Sequence, residues 1–164
     1  TLISKISSID NYESLLEFMN HHEDELKSMN INSKTEDSET KIPFRVFQVF
    51  GDYEVWAGKN SANNDLLTIH YSRPNDLWFH ARGGGGSHVV LRFKDKTSVI
   101  PKEAIIETAS IAAYYSQMRK AKNVPVAYCE RKYVRKPKGV KEGTVFIERE
   151  KVIFVEPKLP NKNP

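Results

Sequence analysis

Four consecutive glycines at residues 83–86 divide the stretch "NDLWFHARGGGGSHVVLRF", which covers residues 75–93. The segments on either side, "DLWFHAR" and "SHVVLRF", are rich in aromatic and β-branched residues, a composition typical of strands. Consecutive glycines lose much backbone entropy when they become ordered, so they usually mark a turn or the close approach of another group. The stretch therefore predicts two strands joined by a glycine loop.

A hairpin is predicted immediately before this stretch. "FRVFQVF" alternates in polarity and predicts a strand, Gly51 and Asp52 predict a turn, and "YEVWAG" predicts the returning strand. The following segment, "KNSANNDLLTIHY", is compatible with a short helix that is capped by Asn60 or Ser61 and reaches Ile69.

One long helix is predicted over residues 101–122, "PKEAIIETASIAAYYSQMRKAK". Proline at its start and basic residues at its end suit the helix dipole. A narrow face of small residues could pack closely on a sheet: Ile105, Ala109, Ala112 and Ser116. Because "VPVAYCERKYV" and "TVFIEREKVIFVEP" predict two or three further strands, we expect an α+β fold with a mainly antiparallel sheet, one long helix and short helices.

The chain is predicted to divide into four segments. Residues 1–31 carry apolar residues near the helical period and predict an N-terminal helical segment, the end of a coiled-coil or middle region. Residues 32–42 contain few apolar residues and predict a flexible linker. Residues 43–158 form the α+β domain, and residues 159–164 form a tail.

Charge is distributed unevenly along the 164 residues. Residues 1–42 hold four lysines against nine acidic residues, net −5, and residues 43–164 hold 21 basic against 12 acidic residues, net +9. The basic block indicates a polyanionic partner, although a surface kept soluble by charge is the alternative.

With no membrane-spanning apolar run, no signal pattern and one cysteine, Cys129, we expect a cytoplasmic protein without disulfides. The first residue is Thr1, which suggests a fragment of a longer protein.

The glycine loop does not fit the common nucleotide-binding or catalytic motifs. A P-loop requires Lys-Ser or Lys-Thr after its last glycine, and here Ser87 and His88 follow. A nucleophile elbow requires glycine at the position of Val89. We therefore expect no enzyme activity, no metal and no cofactor. The alternative is a metal-dependent hydrolase or nuclease that uses Asp76, His80 and His88.

A phosphate contact is the favoured function of the glycine loop, because glycines let backbone N–H groups approach an anion. His80 shares a strand face with Trp78 and Arg82, and His88 aligns with Arg92. Arg82, His88 and Arg92 are expected to lie near a bound phosphate, although Arg92 could equally pair with an acidic residue. Core packing is the favoured role of Trp78.

A second basic stretch, "RKYVRKPKGVK", covers residues 131–141 and holds six basic residues and no acidic one. Its proline and glycine predict a bent loop that projects Lys136, Lys138 and Lys141. Such a loop can follow a sugar-phosphate backbone with point charges, so polyanion binding is favoured over a solvated hairpin tip.

Several of these motifs resemble the NFACT-R domain of the NEMF, RqcH and FbpA family of ribosome-associated quality-control proteins. They are "GKNSANNDLLT", "PNDLWFHARGGGGSHVVLR", "ASIAAYYSQMRKAKNVPVAYCERKYVRKPKG" and a late "EPK". The family's loop usually reads Gly-Val-Pro-Gly before Ser-His, whereas all four positions are glycine here. The missing proline predicts a less preformed anion pocket.

The resemblance implies an RNA-binding module without cofactors that contacts tRNA and rRNA on the obstructed large ribosomal subunit. Its other expected partners are N-terminal domains of the same protein, and no membrane is involved. A DNA-binding relative is a further alternative, because both polymers share phosphates. The expected nucleic-acid contacts are Lys59, Asn60, Asn64, His80, Arg82, Ser87, His88, Arg92, Lys132, Arg135, Lys136, Lys138 and Lys141.

Overall fold

The structure, a computed structural model, describes residues 41–94 and 99–161, together with Glu13, Ser14 and Glu17, which are helical. The chain divides into two compact units, Thr1–Pro43 and Phe44–Pro164. Apart from the positions just given, the segments predicted over residues 1–31 and 32–42 lie outside the described residues, as does the end of the tail predicted over residues 159–164.

Eight strands make up the β structure of the described residues: β1 (Arg45–Val49), β2 (Tyr53–Ala57), β3 (Leu77–Ala81), β4 (Val89–Leu91), β5 (Val124–Glu130), β6 (Val134–Arg135), β7 (Phe146–Ile147) and β8 (Lys151–Val155). Six of them form one sheet in the order β1-β2-β4-β3-β5-β8, and β6 pairs with β7 separately. All of these pairs are antiparallel. The predicted α+β class with a mainly antiparallel sheet is confirmed.

The short helix after the first hairpin begins where its cap predicts. Asn60 has an extended backbone, and its side chain accepts a hydrogen bond from Asn63 N at 2.8 Å, which satisfies a free N–H group of the first turn. Helix α1 (Ser61–Asp65) then continues directly into a π-helical segment, Leu66–Tyr71.

The long helix is shorter than predicted. Helix α2 spans Lys102–Tyr114, so the expectation that it reaches residue 122 is wrong. Tyr115 leaves the helical region at φ −93° and ψ 39°, and Ser116 pairs with Gly86 in an isolated bridge. Contact with the glycine loop therefore replaces the last two turns that the sequence pattern predicted.

The two faces of the sheet are covered differently. One face packs on α2 through small helix residues such as Ala109 and Ala112, against Phe79 and Val89 of the strands. The other face carries Trp78, which is 2% exposed, so the prediction that this tryptophan packs in the core is confirmed. Contacts described below join that second face to α1, the π-helical segment and the β6–β7 hairpin.

Cys129 lies on β5 opposite Trp78 and is buried. Burial raises the pKa of its thiol to about 11, and the neighbouring carboxylates of Glu150 and Glu130 act in the same direction. The thiol is therefore protonated at neutral pH. Among the described residues, no helix has the length and apolar character needed to cross a membrane.

Candidate nucleic-acid interface

The glycine loop between β3 and β4 packs against the chain that follows α2. Ser87 N donates to Tyr115 O at 3.0 Å, and Gln117 N donates to Gly85 O at 2.9 Å. A Cβ atom added at Gly86 would lie 2.9 Å from Ser116 Cβ and 3.1 Å from Tyr115 O. Glycine is therefore required at residue 86 because another segment of the same chain approaches its backbone.

His88 lies inside the domain, which corrects the expectation that it contacts a phosphate. Its side chain is 1% exposed. Nδ1 lies 2.7 Å from Thr68 Oγ1, and Nε2 lies 3.0 Å from Gly143 O. Burial, with a smaller contribution from the nearby His80, lowers the pKa of His88 to about 4, so the ring is neutral at pH 7. Neither ring nitrogen is available to an RNA phosphate in this arrangement.

Asn64 and Ser87 also have internal roles, which corrects their expected contact with nucleic acid. Asn64 accepts from His88 N at 3.1 Å and donates to Gly86 O at 3.3 Å, so it fastens the glycine loop to α1. Ser87 Oγ donates to Gly58 O at 2.6 Å. Both residues are buried. They shape the loop and do not present a polar group to solvent.

Arg92 forms a largely buried ion pair with Asp76. The structure therefore shows the predicted alternative, pairing with an acidic residue, and corrects the expected phosphate contact. Arg92 Nη1 lies 3.1 Å from Asp76 Oδ2, and the two side chains are 15% and 0% exposed. The guanidinium also donates to Tyr71 O and lies 4.1 Å from the ring centre of Trp56. Burial raises the pKa of Asp76, while Arg92 and the amide of Phe93 oppose that shift.

Arg82 and His80 lie closer to solvent. The Arg82 side chain is 54% exposed and forms a 3.3 Å ion pair with Glu150. His80 is half-buried, stacks on Trp78 with 6.0 Å between ring centres, and has its pKa lowered by burial. Of these two side chains, Arg82 has the greater freedom to reach an RNA backbone.

The β6–β7 hairpin carries the second basic stretch, and its lysines differ in environment. Lys138 and Lys141 are exposed, whereas Lys136 is 18% exposed and its ammonium lies 3.1 Å from Asp65 Oδ2. The expectation that Lys136 projects freely from the loop is therefore corrected. At the surface, Lys132 pairs with Glu130 at 2.8 Å and Arg135 pairs with Glu148 at 3.3 Å.

A groove of about 370 Å³ opens beside the glycine loop, where the sequence pattern did not indicate one. We call it the glycine-loop groove, and its main lining residues are Arg45, Lys59, Gly85, Tyr114, Tyr115 and Arg119. The residues that line it include three cations and no carboxylate. Sequence reasoning included Lys59 among the expected contacts but missed the two arginines, because it placed Arg119 at the end of a longer helix.

Both arginines of the groove are held on aromatic rings. The Arg45 guanidinium carbon lies 4.4 Å from the ring centre of Tyr115, and Nη1 of the same residue donates to Gly58 O at 3.1 Å. The Arg119 guanidinium carbon lies 3.8 Å from the ring centre of Tyr114, and Nη2 of the same residue donates to the Tyr114 hydroxyl group. Stacking orients a guanidinium while its outer N–H groups stay available, so the groove can receive a phosphate.

The described residues contain no cluster of three or more His, Cys, Asp or Glu side chains that could hold a metal ion. The hydrolase alternative needs Asp76, His80 and His88 to face a common substrate. Asp76 is instead occupied by Arg92 and by backbone N–H groups, and His88 by Thr68 and Gly143.

Several known proteins are similar to this chain. The chain is similar to a protein named Rqc2 homolog RqcH from Bacillus subtilis, with 37% identity over 103 residues that cover 63% of this chain and 17% of that protein. It is also similar to a protein named ribosome quality control complex subunit NEMF homolog from Drosophila melanogaster, with 32% identity over 77 residues, 47% of this chain and 8% of that protein. The chain therefore spans less than a fifth of either relative.

A solved structure and a family model match most of the chain. The structure of the C-terminal of the fibronectin/fibrinogen-binding protein from Streptococcus suis matches with a TM-score of 0.64 and 30% identity, over 87% of this chain and 57% of that one. The family model described as the NFACT protein RNA binding domain matches residues 43–149, more than half of the chain. This chain therefore belongs to the NFACT-R family.

Proposed function

We propose that this chain is the RNA-binding module of a ribosome quality-control factor, and that it contacts phosphates of tRNA or rRNA on the obstructed large ribosomal subunit in the cytoplasm. The family's description and the names of the relatives support RNA and ribosome quality control as the setting. The observation that carries the proposal is the glycine-loop groove, in which three cations and two tyrosines meet without a carboxylate among the lining residues.

The geometry of the groove favours phosphates over bases. One face of each tyrosine ring is already covered by a guanidinium, at 3.8 Å for Tyr114 and 4.4 Å for Tyr115. A base that stacked on the covered face would have to displace that arginine, whereas a phosphate oxygen can accept hydrogen bonds from the outer edge of the guanidinium. Phosphate contacts position a protein without reading sequence, so we propose binding with little sequence preference.

Alanine substitution of Arg119 tests the proposal. Arg119→Ala in the 164-residue chain should weaken binding of a fluorescent RNA stem-loop about fivefold, and it should lower the log–log salt slope by about one unit. The matched control is Lys102→Ala, which removes the same charge from the exposed first turn of α2 and should leave binding nearly unchanged. Thermal melts establish that both variants fold.

Two results would overturn the proposal. One is RNA affinity that does not change between low and moderate salt, because phosphate contacts require counterion release. The other is equal loss of affinity in Arg119→Ala and Lys102→Ala, which would indicate a diffuse charge effect. RNA and DNA duplexes of one sequence, titrated side by side, separate an RNA-binding module from a DNA-binding relative.

A further inference from the structure

The loop between β6 and β7, residues 136–145, is closed around the ammonium group of Lys136. Its Nζ donates to Lys141 O at 2.6 Å and to Thr144 O at 2.9 Å, and lies 3.1 Å from Asp65 Oδ2. An ammonium group has three N–H donors, so these partners occupy all of them. We call residues 136–145 the basic loop, and Lys136 is its internal support.

Asp65 also holds the backbone of the basic loop at a second point. Gly143 N donates to Asp65 Oδ1 at 3.1 Å, while Gly143 O lies 3.0 Å from His88 Nε2. Gly143 has φ +76°, a conformation that other residues adopt only with strain. One carboxylate at the end of α1 therefore binds the ammonium with one oxygen and the loop backbone with the other.

The hydrogen bonds behind Gly143 have a fixed direction. Gly143 O can only accept, so His88 Nε2 carries the proton and Nδ1 of the neutral ring accepts from the Thr68 hydroxyl at 2.7 Å. Trp78 Nε1 can only donate, and it donates to Thr68 Oγ1 at 3.1 Å. The basic loop is thus joined through His88 to the core of the sheet.

We infer that Asp65 is a positioning residue for RNA binding, because its carboxylate holds the basic loop in one arrangement that presents Lys138 and Lys141 to RNA phosphates. The inference rests on the proposed function. Both lysines are exposed, and the loop that carries them is fixed at Lys136 and Gly143 before RNA arrives. Ordering a loop before binding lowers the entropic cost of association.

Electrostatics alone predicts the opposite effect of removing Asp65. A carboxylate beside a basic loop repels a polyanion, so its loss should strengthen RNA binding. Positioning predicts weaker binding although every positive charge remains. The sign of the change therefore distinguishes the two roles, and Glu142 in the same loop is the matched control because it is exposed.

The test is a titration of the RNA stem-loop with the wild-type chain, Asp65→Ala, Asp65→Asn and Glu142→Gln at one salt concentration. We expect Asp65→Ala to bind about fivefold more weakly, with a smaller salt slope because Lys138 and Lys141 lose their alignment. Asp65→Asn keeps an acceptor for Gly143 N and should be intermediate. Glu142→Gln should bind as tightly as the wild type or more tightly.

Amide hydrogen exchange of the free protein supplies a measurement that does not involve RNA. Asp65→Ala should increase exchange at Gly143 and Thr144 and leave the β3 amides protected. If Asp65→Ala and Asp65→Asn bind RNA as well as the wild type or better, or if Gly143 stays protected in both, the inference is wrong. If the wild type does not bind RNA, the proposed function itself fails.

Discussion

Arg92 and Arg82 lie on opposite sides of the glycine loop and differ in burial, with side chains 15% and 54% exposed. Replacing Arg92 with methionine should lower the free energy of unfolding by about 3 kcal/mol, because it leaves the buried Asp76 carboxylate without its cation. Replacing Arg82 with methionine should change it by less than about 1 kcal/mol, since its ion pair is exposed. Urea denaturation of both variants checks this, and equal losses would contradict the assigned roles.

Acid sensitivity is expected from the buried His88. Its pKa is lowered from 6.5 to about 4 in the folded chain, so between these values the unfolded chain binds the proton and the folded chain does not. Above pH 6.5 the neutral ring of His88 makes its full contribution to the free energy of unfolding. As the pH falls from 6.5 towards 4, the free energy of unfolding decreases by about 3 kcal/mol in all. His80 acts in the same direction, since burial also lowers its pKa.

Urea unfolding at several pH values between 4 and 7 measures this loss. His88→Gln should be less stable at pH 7 because it disturbs the contacts with Thr68 and Gly143, but its stability should depend less steeply on pH. Subtracting the free energy of unfolding of the variant from that of the wild type at each pH cancels the contribution of the carboxylates, which both proteins share. An identical slope in the two proteins would show that His88 is not the titrating group.

At the scale of elements, neighbouring glycines in one loop should respond differently to alanine. A Cβ atom at Gly86 would lie 3.1 Å from the backbone atoms Ser116 Cα and Tyr115 O, whereas a Cβ atom at Gly85 would lie 3.5 Å from Gln117 Nε2, an ordinary contact. Gly86→Ala should therefore lower stability by about 1–3 kcal/mol, and Gly85→Ala should be nearly neutral. Thermal melts compare the two, and a neutral Gly86→Ala would mean that the bridge to Ser116 is not tightly packed.

The strands could be predicted because short runs rich in aromatic and β-branched residues are a local property of the sequence. The end of α2 could not, because the pattern of residues 101–122 stays compatible with a helix throughout. Tyr115 and Ser116 leave the helix to bond the glycine loop, which lies about thirty residues earlier in the chain. Such a long-range contact overrides local propensity and leaves no periodic signal.

At the scale of the whole molecule, the glycine-loop groove and the basic loop are expected to contact one RNA together. The triple variant Arg119→Ala, Lys138→Ala and Lys141→Ala should then lower the salt slope by about three units, the sum of its single changes. Binding across a salt series provides the measurement. A triple variant with the slope of Arg119→Ala alone would show that the basic loop lies away from the RNA.

Residue types near the site could be predicted from the sequence, but their burial could not. Charged and polar side chains beside a glycine loop suggested phosphate contacts, and Arg82 and Lys59 are indeed at the surface. His88, Asn64 and Arg92 have the same chemistry and are used inside the domain, where each completes a hydrogen-bond network. A linear sequence does not show which polar groups find partners across the fold.

The burial of Cys129 has a practical consequence for site-directed labelling. Cys129 is the one cysteine in the sequence, it is 5% exposed, and its pKa is raised to about 11. The thiolate is the form of cysteine that attacks maleimides and other thiol-directed reagents, so the folded chain should behave as a cysteine-free background near neutral pH. A single cysteine introduced at residue 138 would therefore carry a spin label or crosslinker without removal of the native thiol.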